Sequence, residues 1–421
     1  MPPRSEPTRT ETYDIAVVGG GPAGLSAALL ARTLGRSVLL IAAPRPADER
    51  TTALLAGSQG LFERTGIWPA IEAEAAPLRR IRIADATSRL IRAPEIVFDA
   101  AEIGLDAFGY NIPNGMLTGI LDRACTSRGV VRAENAATSI APGPEFVEVT
   151  TAAGQSFSAR VLIGADGRNS LARGAAGIGV SEWRYEQSAL VVNLRHTLPH
   201  RDTSTEFHTE TGPFTLVPLQ GNRSSLVCVE TAEGAERLSA FSDDALANEI
   251  ERRSSSILGQ IEIDGPRQVF PLAGMRAHAF AARRIALVGE AAHVIPPLGA
   301  QGLNLGLRDV VELADALSAG DPGAPAHIES YNRRRRADVL ARTAIVDGLN
   351  RSLLTDSLLV QCTRGLAIAA LAGVPPLRRA VMRQGIAAFG LSGNRRPADR
   401  RTGESKPQGK RSGGRIRLPI R

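Results

Sequence analysis

A glycine-rich turn between an apolar strand and a helix constrains the fold of this chain more than any other feature. Residues 13–18 (YDIAVV), apolar apart from Asp14, have the character of a buried parallel strand. The turn GGGPAG at 19–24 follows, then the helical run LSAALLARTL at 25–34 and a second apolar strand, SVLLI, at 37–41. This order predicts a βαβ unit, and therefore an α/β fold built on a parallel sheet.

The turn matches the GxGxxG pattern of dinucleotide-binding proteins. Gly19 allows a tight turn out of the strand, Gly21 lets a pyrophosphate approach the backbone, and Gly24 lets the helix pack closely on the sheet. The start of the helix, with Pro22 and Ala23 in the turn that leads into it, would present free N–H groups and the positive dipole end to the phosphates. The alternative is a tight turn with a purely structural role.

One part of this pattern is missing. An acidic residue about 20 residues downstream usually accepts hydrogen bonds from the ribose hydroxyls. The second strand instead ends in IAAP at 41–44, and the first carboxylate after it belongs to Asp48. We expect either that Asp48 or Glu49 reaches back to the ribose, or that backbone groups and water hold it.

A second segment combines a predicted strand with a polar turn. The strand at 158–163 leads into GADGRNS at 164–170, which contains Asp166. A ligand contact by Asp166 is one interpretation of this segment. The other is an Asp-Gly turn without further function.

A third segment follows the apolar strand at 285–288 and begins with Gly289 and Glu290. A carboxylate at the end of a buried strand can accept a hydrogen bond from a polyol. The predicted helix after Gly302 would direct the N–H groups near Leu303 and Asn304 toward a developing negative charge. The segment therefore predicts one wall of a ligand site.

In this order and spacing, the three segments resemble the FAD signatures of flavin-dependent aromatic hydroxylases with the para-hydroxybenzoate hydroxylase fold, over about residues 13–390. Within that group the chain is most similar to the ubiquinone-biosynthesis hydroxylases. The similarity includes DERTTAL at 48–54, QGLNLGLRD at 301–309, YNRRRRAD at 331–338, DGL at 347–349 and PPLRR at 375–379. The departures are the absent acid at 42, Glu290 where the family usually has Asp, and the sequence PPLGA at 296–300.

The resemblance implies FAD as the cofactor and assigns residues to it. Glu290 would hold the ribityl chain, Arg50 and Asn114 would flank the cofactor, and Asp166 would serve the second signature. No catalytic side chain and no metal site is predicted. The implied FAD-binding residues are Gly19, Gly21, Pro22, Ala23, Gly24, Arg50, Asn114, Asp166, Gly289, Glu290, Gly302, Leu303 and Asn304.

The resemblance also implies the reaction. NAD(P)H would reduce FAD, O₂ would add to give a flavin C4a-hydroperoxide, and one oxygen atom would pass to the ring of a polyprenylated phenol in ubiquinone biosynthesis. The alternatives are a hydroxylase of another, soluble phenol, a flavin reductase of isoprenoid double bonds, and a non-catalytic FAD-binding scaffold within a quinone-synthesis complex.

Two further groups carry simpler interpretations. His293 could act as a base, but we expect a packed, hydrogen-bonded histidine, which is the commoner role in a strand-to-turn segment. The basic run RRRR at 333–336 is expected to form the solvated, partly ion-paired face of a helix. The phosphate of NADPH is the alternative partner of this run.

Charge and cysteine content restrict partners and location. The formal net charge is +7, but ten Lys or Arg and only two acidic residues lie at 394–421, so the rest of the chain is close to neutral. Only 4% of residues are aromatic, which excludes the basic, stacking surface of a nucleic-acid binder. Three cysteines, Cys125, Cys228 and Cys362, are too few for a disulfide framework and form no CxxC pair for zinc, which favours a reduced compartment. We expect a cytoplasmic protein, with peripheral contact to the inner membrane face through the apolar and basic region 352–389 as one possibility.

The predicted fold class is α/β, or α+β: a Rossmann-like FAD-binding domain with a discontinuous antiparallel-sheet substrate domain and C-terminal helices. The expected segments are a flexible leader at 1–12, FAD-binding parts at 13–80, 113–180 and 273–325, substrate-domain parts at 81–112 and 181–272, a helical region at 326–392 and a basic disordered tail at 393–421.

Overall fold

Parallel strands form the centre of the first of three sheets in this computed structural model. The structure describes residues 11–46, 48–88, 92–296, 301–318, 320–354, 370–371 and 373–388. Most of the predicted leader, residues 297–300 of the third segment, residues 355–369 of the helical region, Cys362 and the predicted basic tail lie outside these residues.

The first sheet has eight strands. They are β1 (Glu11–Val18), β2 (Val38–Ile41), β8 (Val131–Ala133), β9 (Ala137–Pro142), β10 (Val147–Thr151), β11 (Ser156–Gly164), β18 (Ala281–Ala282) and β19 (Ile285–Leu287). The order β18-β19-β11-β1-β2-β8 forms the main path, and the pairs from β19 to β8 are parallel. β10 and β9 extend the sheet antiparallel to β11, as the predicted hairpin requires.

The second sheet has nine strands and is largely antiparallel. They are β5 (Arg80–Asp85), β6 (Ile96–Asp99), β12 (Val180–His196), β13 (Thr203–His208), β14 (Pro213–Leu219), β15 (Arg223–Thr231), β16 (Ile261–Ile263), β17 (Gln268–Ala277) and β20 (His293–Val294). The period-two alternation at 185–270 predicted this sheet, although β13 and β5 pair in parallel. A third, three-stranded sheet contains β3 (Thr51–Leu55), β4 (Ala76–Leu78) and β7 (Gly109–Pro113).

Helices cover the sheets. They are α1 (Pro22–Thr33), α2 (Ala56–Arg64), α3 (Trp68–Glu72), α4 (Asn114–Ser127), α5 (Leu171–Ala175), α6 (Ala232–Ser239), α7 (Asp243–Arg253), α8 (Gln301–Ser318), α9 (Pro325–Leu354) and α10 (Pro375–Ala388). Leu25, Leu29 and the other apolar residues of α1 are buried in the core of the first sheet. α6 and α7 bury Leu238, Leu246 and Ile250 against the second sheet.

The two large sheets meet at the third segment. After β19 the chain forms a short 3-10 turn at Gly289–Ala291 and then enters the second sheet, where His293 lies opposite Arg276 of β17. The mixed α/β fold therefore places this segment at the junction of the two sheets. In the described part of the chain, none of the helices combines the length and apolar character that spanning a bilayer requires.

Candidate functional site

The strand register brings the three segments to one edge of the first sheet. Val18 lies opposite both Ile41 and Gly164, and Gly164 lies opposite Leu287. The carboxyl ends of four parallel strands are therefore level. Ligands of open α/β sheets bind beyond such carboxyl ends.

The first and second segments contact each other through their backbones. Gly19 has φ +115°, and a methyl group built on it would lie 2.1 Å from the carbonyl oxygen of Ala165. A methyl group on Gly24 would lie 2.0 Å from the carbonyl oxygen of Gly19. Only glycine fits at either position, which confirms the predicted tight turn and close helix packing.

The third segment packs against the same turn. Gly289 has φ +61°, and a methyl group on it would lie 3.1 Å from the Cβ of Ala23. A methyl group on Gly306 of α8 would lie 2.9 Å from the Cα of Gly289. By contrast Gly302 is exposed and has open space around it, so backbone groups at the start of α8 are accessible. The three turns form a backbone-lined cradle that fits the phosphates and polyol of a dinucleotide.

The carboxylate of Asp166 organises the second segment. It accepts hydrogen bonds from Ser170 Oγ at 2.6 Å and from the amide of Ala172 at 3.0 Å, at the start of α5. Arg173, on the same helix, donates to the carbonyl of Ala291 at 2.9 Å and so connects the second and third segments. Burial lowers the pKa of Arg173, although the negative charge of Asp166 acts to raise it. A flavin contact by Asp166 stays a prediction.

Arg50 and Asn114 lie together, and Asp48 joins them; the contact of both with the cofactor, which the resemblance implies, stays a prediction. The Asp48 carboxylate accepts two hydrogen bonds from the Arg50 guanidinium, at 2.7 and 2.8 Å, one from the Arg50 amide at 3.1 Å and one from Asn114 Nδ2 at 3.0 Å. Burial disfavours the ionised form of Asp48, but these hydrogen bonds prevail and lower its pKa. The hydrogen bond to Asp48 raises the pKa of Arg50, and the charge of Glu290 raises it further. Glu290, which is exposed, is thus electrostatically coupled to Arg50.

A cleft beside Arg50 opens toward the second sheet. It is a shallow, partly open cleft lined by Arg50, Asn193 and Gln268 among others. The guanidinium of Arg50 lies 5.3 Å from the centre of the Phe270 ring. The buried amide oxygens of Asn114 and Asn193 have no hydrogen-bond partner in the described part of the chain. Orphaned buried acceptors are rare, so each fits a donor group of a bound ligand.

Asn304 uses its side chain to hold α8 in place. Its Oδ1 accepts from the amide of Leu55 at 2.9 Å and from Ser58 Oγ at 2.6 Å. Its Nδ2 donates to the carbonyl of Ala53 at 2.7 Å. The sequence predicted a backbone contact from Asn304 to the flavin, and that contact stays a prediction; the side-chain bonds fix where the backbone lies.

A buried ionic network behind the third segment has no counterpart in the sequence analysis. Asp309 is fully buried. One of its carboxylate oxygens accepts a hydrogen bond from the amide of Gly289 at 2.9 Å, and the same oxygen is hydrogen-bonded to His293 Nε2 at 2.7 Å. Arg335 Nε donates to the second oxygen of Asp309 at 2.7 Å and Nη1 donates to Asp338 at 2.6 Å. His293 is therefore packed and hydrogen-bonded, as predicted. Arg335 is only 1% exposed, so the prediction of a solvated face for residues 333–336 is wrong at this position.

The comparisons with known proteins agree with this geometry. The family model described as "FAD binding domain" matches residues 12–344. The chain is 34% identical over 392 residues to ubiquinone hydroxylase UbiL of Rhodospirillum rubrum, covering 90% of both chains. It is 33% identical over 341 residues to 3-demethoxyubiquinol 3-hydroxylase of Escherichia coli, covering 77% of this chain and 86% of the relative.

Solved structures share the fold. The p-nitrophenol 4-monooxygenase PnpA of Pseudomonas putida superposes with a TM-score of 0.74 at 20% identity, covering 91% of this chain and 100% of that one. HpxO of Klebsiella pneumoniae, complexed with FAD and uric acid, superposes with a TM-score of 0.70 at 18% identity, covering 90% and 97%.

Proposed function

The chain belongs to the FAD binding domain family and, within it, to the ubiquinone-biosynthesis hydroxylases, and we propose that it hydroxylates the aromatic ring of a polyprenylated phenol in ubiquinone biosynthesis. The observation that carries this proposal is the similarity to UbiL over nine-tenths of both chains. The cradle formed by Gly19, Gly24 and Gly289 supports it, because a dinucleotide needs backbone-lined space at this edge of the sheet.

Bound FAD would supply the redox chemistry, with NAD(P)H as the transient reductant and O₂ as the co-substrate. The protein would supply position and charge. The start of α1 would direct N–H groups to the phosphates, and Glu290 would accept hydrogen bonds from the ribityl hydroxyls. The amides near Leu303 and Asn304, at the positive end of α8, would stabilise negative charge on the ring system.

The second sheet would cover the reacting ring. The cleft between Arg50 and β12 lies against the second sheet, and Asn193 offers it a buried acceptor. A phenol hydroxyl is a donor that matches such an acceptor. A cover of packed strands also excludes water, which favours oxygen transfer over wasteful side reactions.

We expect cells that lack this protein to accumulate a prenylated phenol that is one hydroxyl group short of the next quinone intermediate. Mass spectrometry of the lipid extract measures it, and the missing position identifies the carbon that is hydroxylated. The purified protein should show a flavin absorbance spectrum and incorporate one ¹⁸O atom from ¹⁸O₂ into the accumulated phenol. Reintroduction of the wild-type gene is the control and should restore ubiquinone.

Other outcomes separate the alternative functions. If cells that lack the protein make normal amounts of ubiquinone although the purified protein contains flavin, the proposed pathway is wrong. A hydroxylase of another phenol is then the remaining function. A product that gains two hydrogens and no oxygen indicates a reductase of isoprenoid double bonds. Absence of substrate-dependent NAD(P)H oxidation, in a strain that nevertheless needs the protein for ubiquinone, indicates a scaffold.

We also propose that the protein acts from the cytoplasm at the inner membrane face, where a prenylated substrate resides. Met382 of α10 packs against Ala100 and Phe108, while Leu377 and Val381, which lie four residues apart on one face, are 44% and 41% exposed. Arg379 is exposed on the same helix and would favour anionic lipids. These features are typical of an interfacial helix.

The double substitution Leu377→Gln and Val381→Gln should reduce cosedimentation with phosphatidylglycerol vesicles by about fivefold or more, because two exposed apolar side chains that would enter the bilayer are lost. Val131→Gln, at an exposed apolar position in β8, is the control and should bind like the wild type. Equal binding of all three proteins would contradict membrane contact. It would leave a protein of the quinone-synthesis complex as the partner of this face.

A further inference from the structure

The end of β2 has no carboxylate for the adenosine ribose of a dinucleotide. Ala42 occupies the expected acidic position, and a methyl group built on Gly20 would lie 2.9 Å from its Cβ. Asp48 does not reach back, because its carboxylate is bound to Arg50 and Asn114. Glu49 lines the cleft beside the second sheet. Both predicted substitutes for the missing acid are therefore directed to the surroundings of Arg50 and the second sheet.

A cationic side chain lies at this place instead. Arg45 follows Ala42 by three residues, and its Nη1 lies 2.5 Å from a methyl group built on Gly21. The guanidinium thus lies directly over the glycine that lets a pyrophosphate approach the backbone. Arg45 is exposed, and no carboxylate or other hydrogen-bond acceptor binds it in the described part of the chain.

We propose that Arg45 binds the pyrophosphate of FAD and anchors the adenosine half of the cofactor in place of the missing ribose acid; this inference rests on the proposed function. The guanidinium is always charged and donates two parallel hydrogen bonds to phosphate oxygens. The first turn of α1 contains no acidic residue, so nothing there opposes the positive potential. The cofactor would be held by charge on its phosphates and not by its ribose hydroxyls.

The difference has a measurable consequence. A carboxylate that accepts hydrogen bonds from ribose hydroxyls contacts an uncharged part of FAD, so the affinity that it contributes depends little on salt. A guanidinium–pyrophosphate contact at an exposed position is screened by salt, so the FAD dissociation constant should rise with ionic strength. Removing Arg45 should reduce both the affinity and this dependence, whereas a merely structural residue would leave the salt dependence unchanged.

The test is a titration of full-length apoprotein with FAD, followed by flavin fluorescence, at several salt concentrations. Arg45→Ala should weaken FAD binding about ten- to a hundredfold at low salt and flatten its salt dependence, because one charge-assisted, bidentate contact is lost. Arg45→Lys keeps the charge, so its FAD affinity and salt dependence should lie between those of the wild type and those of Arg45→Ala. Arg123→Ala removes another exposed arginine, whose guanidinium lies beside Gly119 of its own helix, and should match the wild type.

Thermal unfolding of the apoproteins shows whether each variant is folded. If a folded Arg45→Ala variant binds FAD with wild-type affinity and salt dependence, the inference about Arg45 is wrong, while the proposed function is unaffected. Failure of the folded wild-type protein to bind FAD would overturn the proposed function, and this inference with it.

Discussion

Asp309→Asn should lower the free energy of unfolding by about 3–5 kcal/mol, the range for breaking a buried ion pair on one side only. The substitution keeps the shape of the side chain but leaves the guanidinium of Arg335, which is 1% exposed, without its buried counter-charge. Asp338 still accepts from Nη1, but it is more exposed than Asp309 and sits at the edge of the network. Urea denaturation followed by circular dichroism measures the change.

The double variant Asp309→Asn and Arg335→Met separates charge from packing. With both charges removed, the buried site has no uncompensated ion, so much of the lost stability should return. Glu95→Gln is the control, since it breaks an exposed ion pair with Arg82 and should cost less than about 1 kcal/mol. A loss below 1 kcal/mol in Asp309→Asn would contradict a stabilising role for the network.

The same substitution should affect cofactor binding. Asp309 accepts the amide hydrogen of Gly289, so it fixes the turn from which Glu290 projects. An amide at position 309 has one acceptor oxygen for three donors, and the turn loses part of its support. Asp309 is therefore a positioning residue for the third segment, behind the residues predicted to contact FAD.

The cradle is predictable from the sequence because local patterns determine it. Apolar strands followed by glycines at 19–24 and 289 locate the turns, and parallel pairing brings strand ends to one edge of the sheet. Gly24 was predicted to permit close helix packing, and the structure shows the contact with the carbonyl of Gly19. Such features need no long-range information beyond the order of the strands.

Side-chain partners far apart in sequence could not be predicted in this way. The four arginines at 333–336 look equivalent, but only the helix register relative to α8 decides that Arg335 points inward to Asp309. The sequence does not show that Arg50 and Asn114 occupy the carboxylate of Asp48, because Asn114 is 66 residues away along the chain. For Arg45 the sequence offers no periodicity or motif, since its proximity to Gly21 depends on the path of the chain after β2.

Gly24→Ala should have the other large effect, through sterics alone. Its new methyl group would lie 2.0 Å from the carbonyl oxygen of Gly19 and 3.1 Å from the Cβ of Ala165, and neither is the end of a flexible side chain. Helix α1 must therefore move away from β1 and β11, at a cost of about 1–3 kcal/mol or more in stability. The displaced helix start would no longer face the phosphates, so the variant should purify with little FAD. Absorbance at the flavin maximum relative to protein, and the urea midpoint, measure the two effects.

Gly60→Ala is the matched control, because it makes the same change within helix α2 where nothing lies within 4 Å of the new methyl group. Alanine has a higher helix propensity than glycine, so this variant should gain up to about 1 kcal/mol. The two substitutions add the same atoms to a helix and should change stability in opposite directions. A Gly24→Ala protein with wild-type stability and full FAD content would mean that α1 can separate from the sheet without loss, which would contradict a cradle built on backbone contact.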